Sequence, residues 1–407
     1  MENDLKIVIV GAGLTAAKAT EELLDQDFGG EIVPLGDEDV RPYERPPLSK
    51  EFLRGESDPP FVHDEAFYER ERIELRTGVA VSSIDPAGST VSLDGGETIG
   101  FDRLLIATGA EPRHLDLPGS ALEGIVTLRT LEDSKALGAR LGDGLKVAVI
   151  GAGWIGSEVA ASARQKGCEV TMIAPETVPL ERVLGEELGA FYRDVHTDHG
   201  VRFLGETATT GFNGSERVES VSTDRHGDVP ADLVVVGVGV SPRAGLAEAA
   251  GIATENGILV DASLETDLPG IFAAGDVANA WNPFYERRIR VEHWANARRQ
   301  GAAAARSMLG QKVEFDEIPY FYSDQYDVGM EYVGFAAEWD EIVYRGDVAA
   351  REFIAFWLKD GRIAAGMNVN VWDVSETIRD LIRARAEIDP VRLADPETDL
   401  ASMVPDG

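Results

Sequence analysis

The sequence predicts an α/β protein: two interleaved Rossmann-like dinucleotide-binding domains followed by a C-terminal α+β domain. Three observations predict it. A β-branched run leads into a glycine-rich turn twice, in KIVIVGAGLTAA at Lys6–Ala17 and in KVAVIGAGWIGSEVA at Lys146–Ala160. Strand-then-glycine signals recur at Leu5, Leu104, Leu145, Leu233 and Ile271. From Glu314 onward the pattern changes to alternating segments joined by turns.

The two glycine turns carry the strongest meaning. Glycines let the backbone approach a pyrophosphate, whose charge then rests on the N-terminus of the following helix. Two such turns point to two dinucleotides held at once, which is what passing a hydride from a nicotinamide to a flavin requires. Gly11, Gly13 and Thr15 form the first cradle, and Ala16 stands where a third glycine is common, a place that only needs a small side chain. Gly151, Gly153, Ile155 and Gly156 form the second.

The other elements follow in order. A helix is predicted through Ala16–Leu24 and a strand at Glu31–Leu35 that closes at Gly36-Asp37-Glu38. Asp37 lies where an acid commonly accepts hydrogen bonds from ribose hydroxyls, with Glu38 able to share the role. The segment Arg41–Lys50 (RPYERPPLSK) is stiffened by prolines, which fix φ at low entropic cost. Residues 79–99 read as a small antiparallel excursion, and Phe101–Gly109 as a buried strand ended by a Thr-Gly turn. The same design returns at Leu233–Gly239 and Gly270–Asp276, and Glu169–Ile173 is the second strand of the second motif. In the tail, Asp327–Ala336, Glu341–Arg345, Glu352–Lys359 and Arg362–Asn370 read as antiparallel strands around an Asp360-Gly361 turn, with a helix at Ser375–Ala386. The domains expected are 1–112 with 240–313 for the first nucleotide, 113–239 inserted for the second, and 314–407 as an interface domain.

Composition narrows the function. The 407 residues are 44% hydrophobic, enough for two or three ordinary cores. A net charge of −34 argues against nucleic acid or an anionic membrane as partner. The one cysteine, Cys168, excludes an internal disulfide, a cysteine metal site and the CxxC pair of a flavin disulfide reductase. The opening MENDLK has no basic region and glycines break its apolar run, so it reads as a buried strand rather than a signal peptide. No run is long enough to span a membrane, and the expected location is cytoplasmic.

Seven blocks, GAGLTAA, RPYERPPLSK, LLIATGAEPR, LRTLEDS, GAGWIGSEVA, TDLPGIFAAGDVA and EHWANARRQGAAAA, in that order, resemble the FAD-dependent NAD(P)H ferredoxin reductases of the putidaredoxin and rubredoxin reductase type. The resemblance covers essentially the whole chain and is most specific in PPLSK and EHWANARRQG. It implies bound FAD, hydride transfer from NAD(P)H to its N5, and single-electron delivery to a small iron–sulfur protein serving an oxygenase. It places Lys50 beside N5, paired with Glu158, where a fixed cation stabilises the charge left by reduction. It assigns Arg45 and Arg129 to bracing the flavin and its phosphates, Val81 to adenine through its backbone, Asp276 to the ribityl chain and Trp294 to packing against the ring. Ala107, Thr108, Gly109, Gly239 and Gly275 complete the expected cofactor contacts. His293 reads as a packed histidine rather than a base, since hydride transfer needs none.

The nucleotide preference departs from the pattern. The strand Glu169–Ile173 should end on an acid for NAD, but Ala174 and Pro175 follow, with Glu176 next and Arg182 downstream. NADH is expected as preferred but weakly enforced, with NADPH admitted, and an acid placed at Ala174 is expected to sharpen the preference. For the acidic carrier, Arg287, Arg288, Arg290, Arg298 and Arg299 cluster near Trp294 as a candidate docking patch, with Arg379, Arg383 and Arg385 as the alternative. Monomer and homodimer both stay open. So do rubredoxin as acceptor, an NADH-sensing flavoprotein similar to apoptosis-inducing factor, and direct reduction of oxygen. Peroxide reduction fits less well, because Cys168 follows a helix away from the expected flavin.

Overall fold

In the computed structural model, residues 5–405 are described. The chain forms two compact units. The first draws on the chain up to Arg45, on Pro59–Glu111 and on Val240–Pro319; the second draws on Pro46–Asp58, Pro112–Gly239 and everything from Tyr320 onward. The elements that position the site are β1 (Lys6–Val10), α1 (Leu14–Asp25), β2 (Glu31–Leu35), β3 (Arg103–Ile106), β4 (Lys146–Ile150), α2 (Trp154–Gln165), β5 (Glu169–Ile173), α3 (Glu186–Asp198), β6 (Leu233–Val236), β7 (Ile271–Ala273), α4 (Trp294–Met308) and β8 (Tyr320–Gln325). Met1–Asp4, the start of the opening MENDLK, lie outside the described residues.

The first unit centres on a parallel sheet in the order β7-β3-β1-β2. Register pairs Val8 with Leu104 and Leu105 with Phe272, so continuous apolar strands bury both faces, as a parallel sheet requires. Ile7, Val8, Ile9, Leu104 and Leu105 have no exposed surface. α4 packs on α1 through small residues: Ala16, Ala303, Ala304 and Ala305 are buried, and a Cβ at Gly301 would strike the carbonyl of Thr15. The excursion at residues 79–99 is a three-stranded antiparallel sheet, Val81–Asp85, Thr90–Leu93 and Thr98–Gly100.

The second unit holds a five-stranded parallel sheet with β4 between β5 and β6, and Val149 in register with Met172 and Val235. The same unit contains a five-stranded antiparallel sheet of β8, Val328–Gly334, Arg362–Val369, Glu352–Lys359 and Glu341–Asp347, in that order. The expected turn is present: Asp360 and Gly361 both have positive φ, as a tight hairpin between right-twisted strands needs. The helix after it runs Ser375–Ala384. Within this antiparallel sheet, β8 is the strand that the sequence pattern does not give. Its inward side chains are Phe321, Ser323 and Gln325, so the apolar alternation that marks a strand is broken by the two polar residues.

Candidate functional site

In the first unit the glycine turn is shaped by backbone crowding. Gly11 has φ +106, its N–H bonds to the carbonyl of Leu35 at 2.8 Å, and a Cβ there would strike the carbonyl of Ala107. A Cβ at Gly13, by contrast, would meet open space. Gly13 caps α1 without any side-chain hydrogen bond, which leaves the helix N-terminal donors directed at the space over the turn. Gly275, also at positive φ, lies against the Thr15 side chain, and its N–H donates to Oε1 of Gln300 at 2.8 Å. Thr15, Ala16, Gly275 and the middle of α4 at Gln300 and Gly301 therefore meet around one cradle. The shape fits a bound dinucleotide: crowded behind, open in front and lined by backbone donors.

Charge is arranged around it. Arg45 pairs with Glu38 at 3.0 Å, and the Tyr43 hydroxyl donates to the same carboxylate at 2.5 Å. Burial opposes the charge on Arg45, but Tyr43, Glu38 and Asp276 outweigh it and hold the guanidinium above its ordinary range. Asp276 also reaches His293. Burial dominates there and pushes the imidazole down to about 4, so it is neutral near pH 7 and suited to packing. Asp37, past the end of β2, is exposed and pairs with Arg243 at 2.8 Å. The Thr108 hydroxyl donates to the carbonyl of Arg243 at 2.7 Å, with Ala107 before it and Gly109 at φ +70 after it. Val81 opens its strand, half-buried. Trp294 begins α4, with the Arg298 guanidinium 4.3 Å from its ring centre.

The second unit repeats the cradle. Gly151 has φ +98 and bonds to the carbonyl of Ile173 at 2.8 Å; a Cβ on it would strike the carbonyl of Gly237, and one on Gly156 would strike that of Gly151. Gly153 caps α2 with no side-chain bond, and Ile155 is 46% exposed beside it. Gly239, at φ +100, has open space where a Cβ would lie. Arg129 stands just before the helix Leu131–Arg140, its N–H donating to Asp133 at 3.0 Å.

This unit also brings Lys50 and Glu158 together. Their charged groups are 2.8 Å apart, and the residues are 6% and 4% exposed. The prolines bend Pro46–Ser49 into a 3-10 turn whose Pro46 carbonyl accepts from the lysine Nζ at 3.1 Å. Ser134 and Ser162 donate to the carbonyls of Leu48 and Ser49 at 2.7 and 2.6 Å, pinning the turn. Glu158 further accepts from the Ser49 hydroxyl at 2.5 Å and the Ser323 hydroxyl at 2.6 Å. Three donors on one buried carboxylate answer most of its lost hydration. Sequence reasoning finds the pair but misses Ser49, Ser323 and Gln300. The first lies within PPLSK and the last within EHWANARRQG, so both blocks already flag their surroundings; Ser323 carries no signal.

Pyridine nucleotide-disulphide oxidoreductases match residues 5–301, and a reductase C-terminal domain matches residues 320–404. The chain belongs to the pyridine nucleotide-disulphide oxidoreductase family. It is 41% identical to the ferredoxin–NAD(+) reductase component of an anthranilate 1,2-dioxygenase system from Burkholderia cepacia, over 98% of each chain. It matches the ferredoxin reductase of the CYP199A2 system from Rhodopseudomonas palustris with a TM-score of 0.95 and 36% identity, over 99% and 100% of the two chains. It matches putidaredoxin reductase, in its covalent complex with putidaredoxin, with a TM-score of 0.95 and 32% identity over 98% of each. This oxidoreductase does not use the disulphide of the family's name. Cys168 is its one cysteine, it is buried, and burial holds its thiol above the usual range. Among the described residues, no helix is long and apolar enough to cross a membrane.

Two expectations need correction. Ala174 is fully buried, its N–H bonded to Leu204 and its carbonyl accepting from Thr207. An acid there would begin in the core, so Glu176 is the residue to test; it pairs with Arg182 at 2.8 Å. The arginine cluster, in turn, is largely engaged inside the first unit. Arg290, with only 11% of its side chain exposed, pairs with Glu292 and donates to the carbonyl of Asp276; Arg299 pairs with Glu317 at 2.8 Å; Arg288 donates to the carbonyls of Val260 and Asn279. A guanidinium has five donors and finds short-range acceptors that a count of charges along the sequence does not reveal.

Proposed function

We propose that this oxidoreductase takes a hydride from NADH into bound FAD and passes the electrons singly to a ferredoxin-type iron–sulfur protein that serves an oxygenase. The observation that carries the reading is the buried Lys50–Glu158 pair in a chain with two dinucleotide cradles. Gly11, Gly13, Thr15, Ala16, Asp37, Glu38, Arg45, Val81, Ala107, Thr108, Gly109, Arg129, Gly275, Asp276 and Trp294 hold FAD. Gly151, Gly153, Ile155, Gly156, Glu176 and Gly239 hold the nicotinamide nucleotide. When bound, FAD accepts the hydride at N5 and can release its electrons one at a time.

The protein's own residues supply position and charge. Lys50 is fixed by Glu158 to meet the negative charge that develops on reduction; a preorganised charge needs no reorganisation at that moment. Arg45 offers a second fixed cation. Neutral His293 shapes the site and moves no proton. Glu176 disfavours a 2′-phosphate by its charge, while the exposed Arg182 softens that preference, so NADH is used first and NADPH is accepted more weakly. The acidic carrier docks near Arg287 and Arg298, and the reaction takes place in the cytoplasm.

The test is direct. The purified protein should be yellow with an oxidised-flavin spectrum, and NADH should drive its multiple-turnover reduction of a two-iron ferredoxin. A colourless protein that FAD cannot reconstitute, or one that NADH reduces without passing electrons to any iron–sulfur carrier, would overturn the reading.

A further inference from the structure

Behind Glu158 runs a chain of buried polar side chains that the proposed chemistry does not use. Ser323 donates to Glu158 Oε1 at 2.6 Å, and Gln325 Nε2 donates to Ser323 Oγ at 3.3 Å. Gln325 Oε1 accepts from His196 Nε2 at 2.9 Å, and the Tyr326 hydroxyl lies 3.4 Å from His196 Nδ1. Ser323, Gln325 and His196 are each at most 1% exposed. Ser323 and Gln325 project from the same face of β8, two residues apart, as strand geometry demands. His196 comes from the last turn of α3.

The donors have one consistent direction. Gln325 presents its carbonyl to His196, so the imidazole proton sits on Nε2 and Nδ1 is left to accept from Tyr326. The Gln325 amide then faces Ser323 with its N–H, and the single Ser323 proton goes to the carboxylate. Every donor points toward Glu158. An amide cannot pass a proton along, so the chain is a brace and not a proton wire. Burying three more polar groups in this order has a cost that full satisfaction offsets, and it removes rotameric freedom from the carboxylate at its end.

We propose that Ser323, backed by Gln325 and His196, is a positioning residue that fixes Glu158 and, through it, the Lys50 ammonium. This rests on the proposed role of the Lys50–Glu158 pair in hydride transfer. The brace acts through the carboxylate.

The test measures stopped-flow flavin reduction by NADH in Ser323→Ala and Gln325→Met, each alone and with Glu158→Gln. Ser323→Ala should lower the limiting rate roughly ten-fold, the scale of one hydrogen bond to a charged group, while leaving the apparent Kd for NADH within about two-fold. Gln325→Met should act in the same sense and more weakly. Neither should slow the Glu158→Gln protein further. Equal slowing in both backgrounds, or a change confined to Kd, would mean a merely structural role and overturn the brace. A second readout is independent of turnover: amine-directed acylation of the full-length protein, followed by peptide mass spectrometry. Ser323→Ala should raise labelling of Lys50 several-fold relative to the exposed Lys135; an unchanged ratio overturns the proposal. If Lys50→Met and Glu158→Gln leave the reduction rate untouched, the role of the pair in hydride transfer fails, and the labelling ratio still decides whether Ser323 holds it.

Discussion

Lys50 is held at 6% exposure, with its Nζ 2.8 Å from the Glu158 carboxylate. Replacing it with Met removes one preorganised charge interaction, commonly ~2–4 kcal/mol of barrier, or roughly 30- to 1000-fold in rate. Lys50→Met should therefore slow flavin reduction by NADH while FAD stays bound; stopped-flow reduction at wild-type speed would show that the lysine only seals the turn. His196 makes a different prediction. Burial pushes its imidazole down to about 4, whereas the unfolded chain takes up that proton near 6.5. The unfolded state then binds more protons between those values, so the stability tied to neutral His196 is complete above about pH 6.5 and declines as pH falls toward 4, by ~3 kcal/mol in all. Thermal unfolding of wild type and His196→Gln should show the stability gap between them narrowing over that range, and a gap independent of pH would refute it.

At the scale of elements, the two glycine turns do their work by close approach. Gly301 belongs to the same logic, since it lets α4 lie on α1 beside the Thr15 carbonyl. Gly301→Val should force the helices apart at a cost of about 1–3 kcal/mol, the usual range for overpacking, and should weaken FAD retention because Gln300 and Trp294 move with α4; a variant of unchanged melting temperature and flavin content would show that the contact is slack. The proposed nucleotide preference rests on the residues that follow β5. Glu176→Arg should raise kcat/KM for NADPH relative to NADH, and an unchanged ratio would place the discriminating residue elsewhere. Strands and cradles are legible in the sequence because they rest on local chemistry: β-branched runs, glycines at forced φ, prolines in a fixed turn. β2, β5 and the Asp360-Gly361 hairpin are readable for that reason. β8 is not readable, because its buried face spends two positions on Ser323 and Gln325. The engagement of Arg299 and Arg288 is equally hidden, since their acceptors lie 18 and 28 residues away along the chain, the latter on the backbone.

Over the whole molecule the dominant fact is the charge of −34. With Arg290 and Arg299 already paired, little of the arginine cluster is left to counter it toward an acidic carrier. Surface charges are screened beyond about 8 Å at physiological salt, so carrier reduction should speed up as ionic strength rises from low values, and a steady slowing would show that a local basic patch governs the encounter. Arg287→Glu should raise KM for the carrier, with NADH-driven reduction of ferricyanide as the control.

Each unit is spliced from three separate stretches of chain, and that bears on how this protein can be taken apart. No single cut of the gene yields either unit. A fragment that begins at Pro112 omits the turn that carries Ser49 and Lys50, and one that stops at Gly239 omits β8. Chimaeras present the subtler hazard. Exchanging the region from Tyr320 onward with a relative, in the hope of trading one electron carrier for another, also exchanges the hydroxyl that grips Glu158. On the proposed role of the Lys50–Glu158 pair, a graft that does not preserve Ser323 and Gln325 inherits a fault in hydride chemistry whatever it does to partner choice.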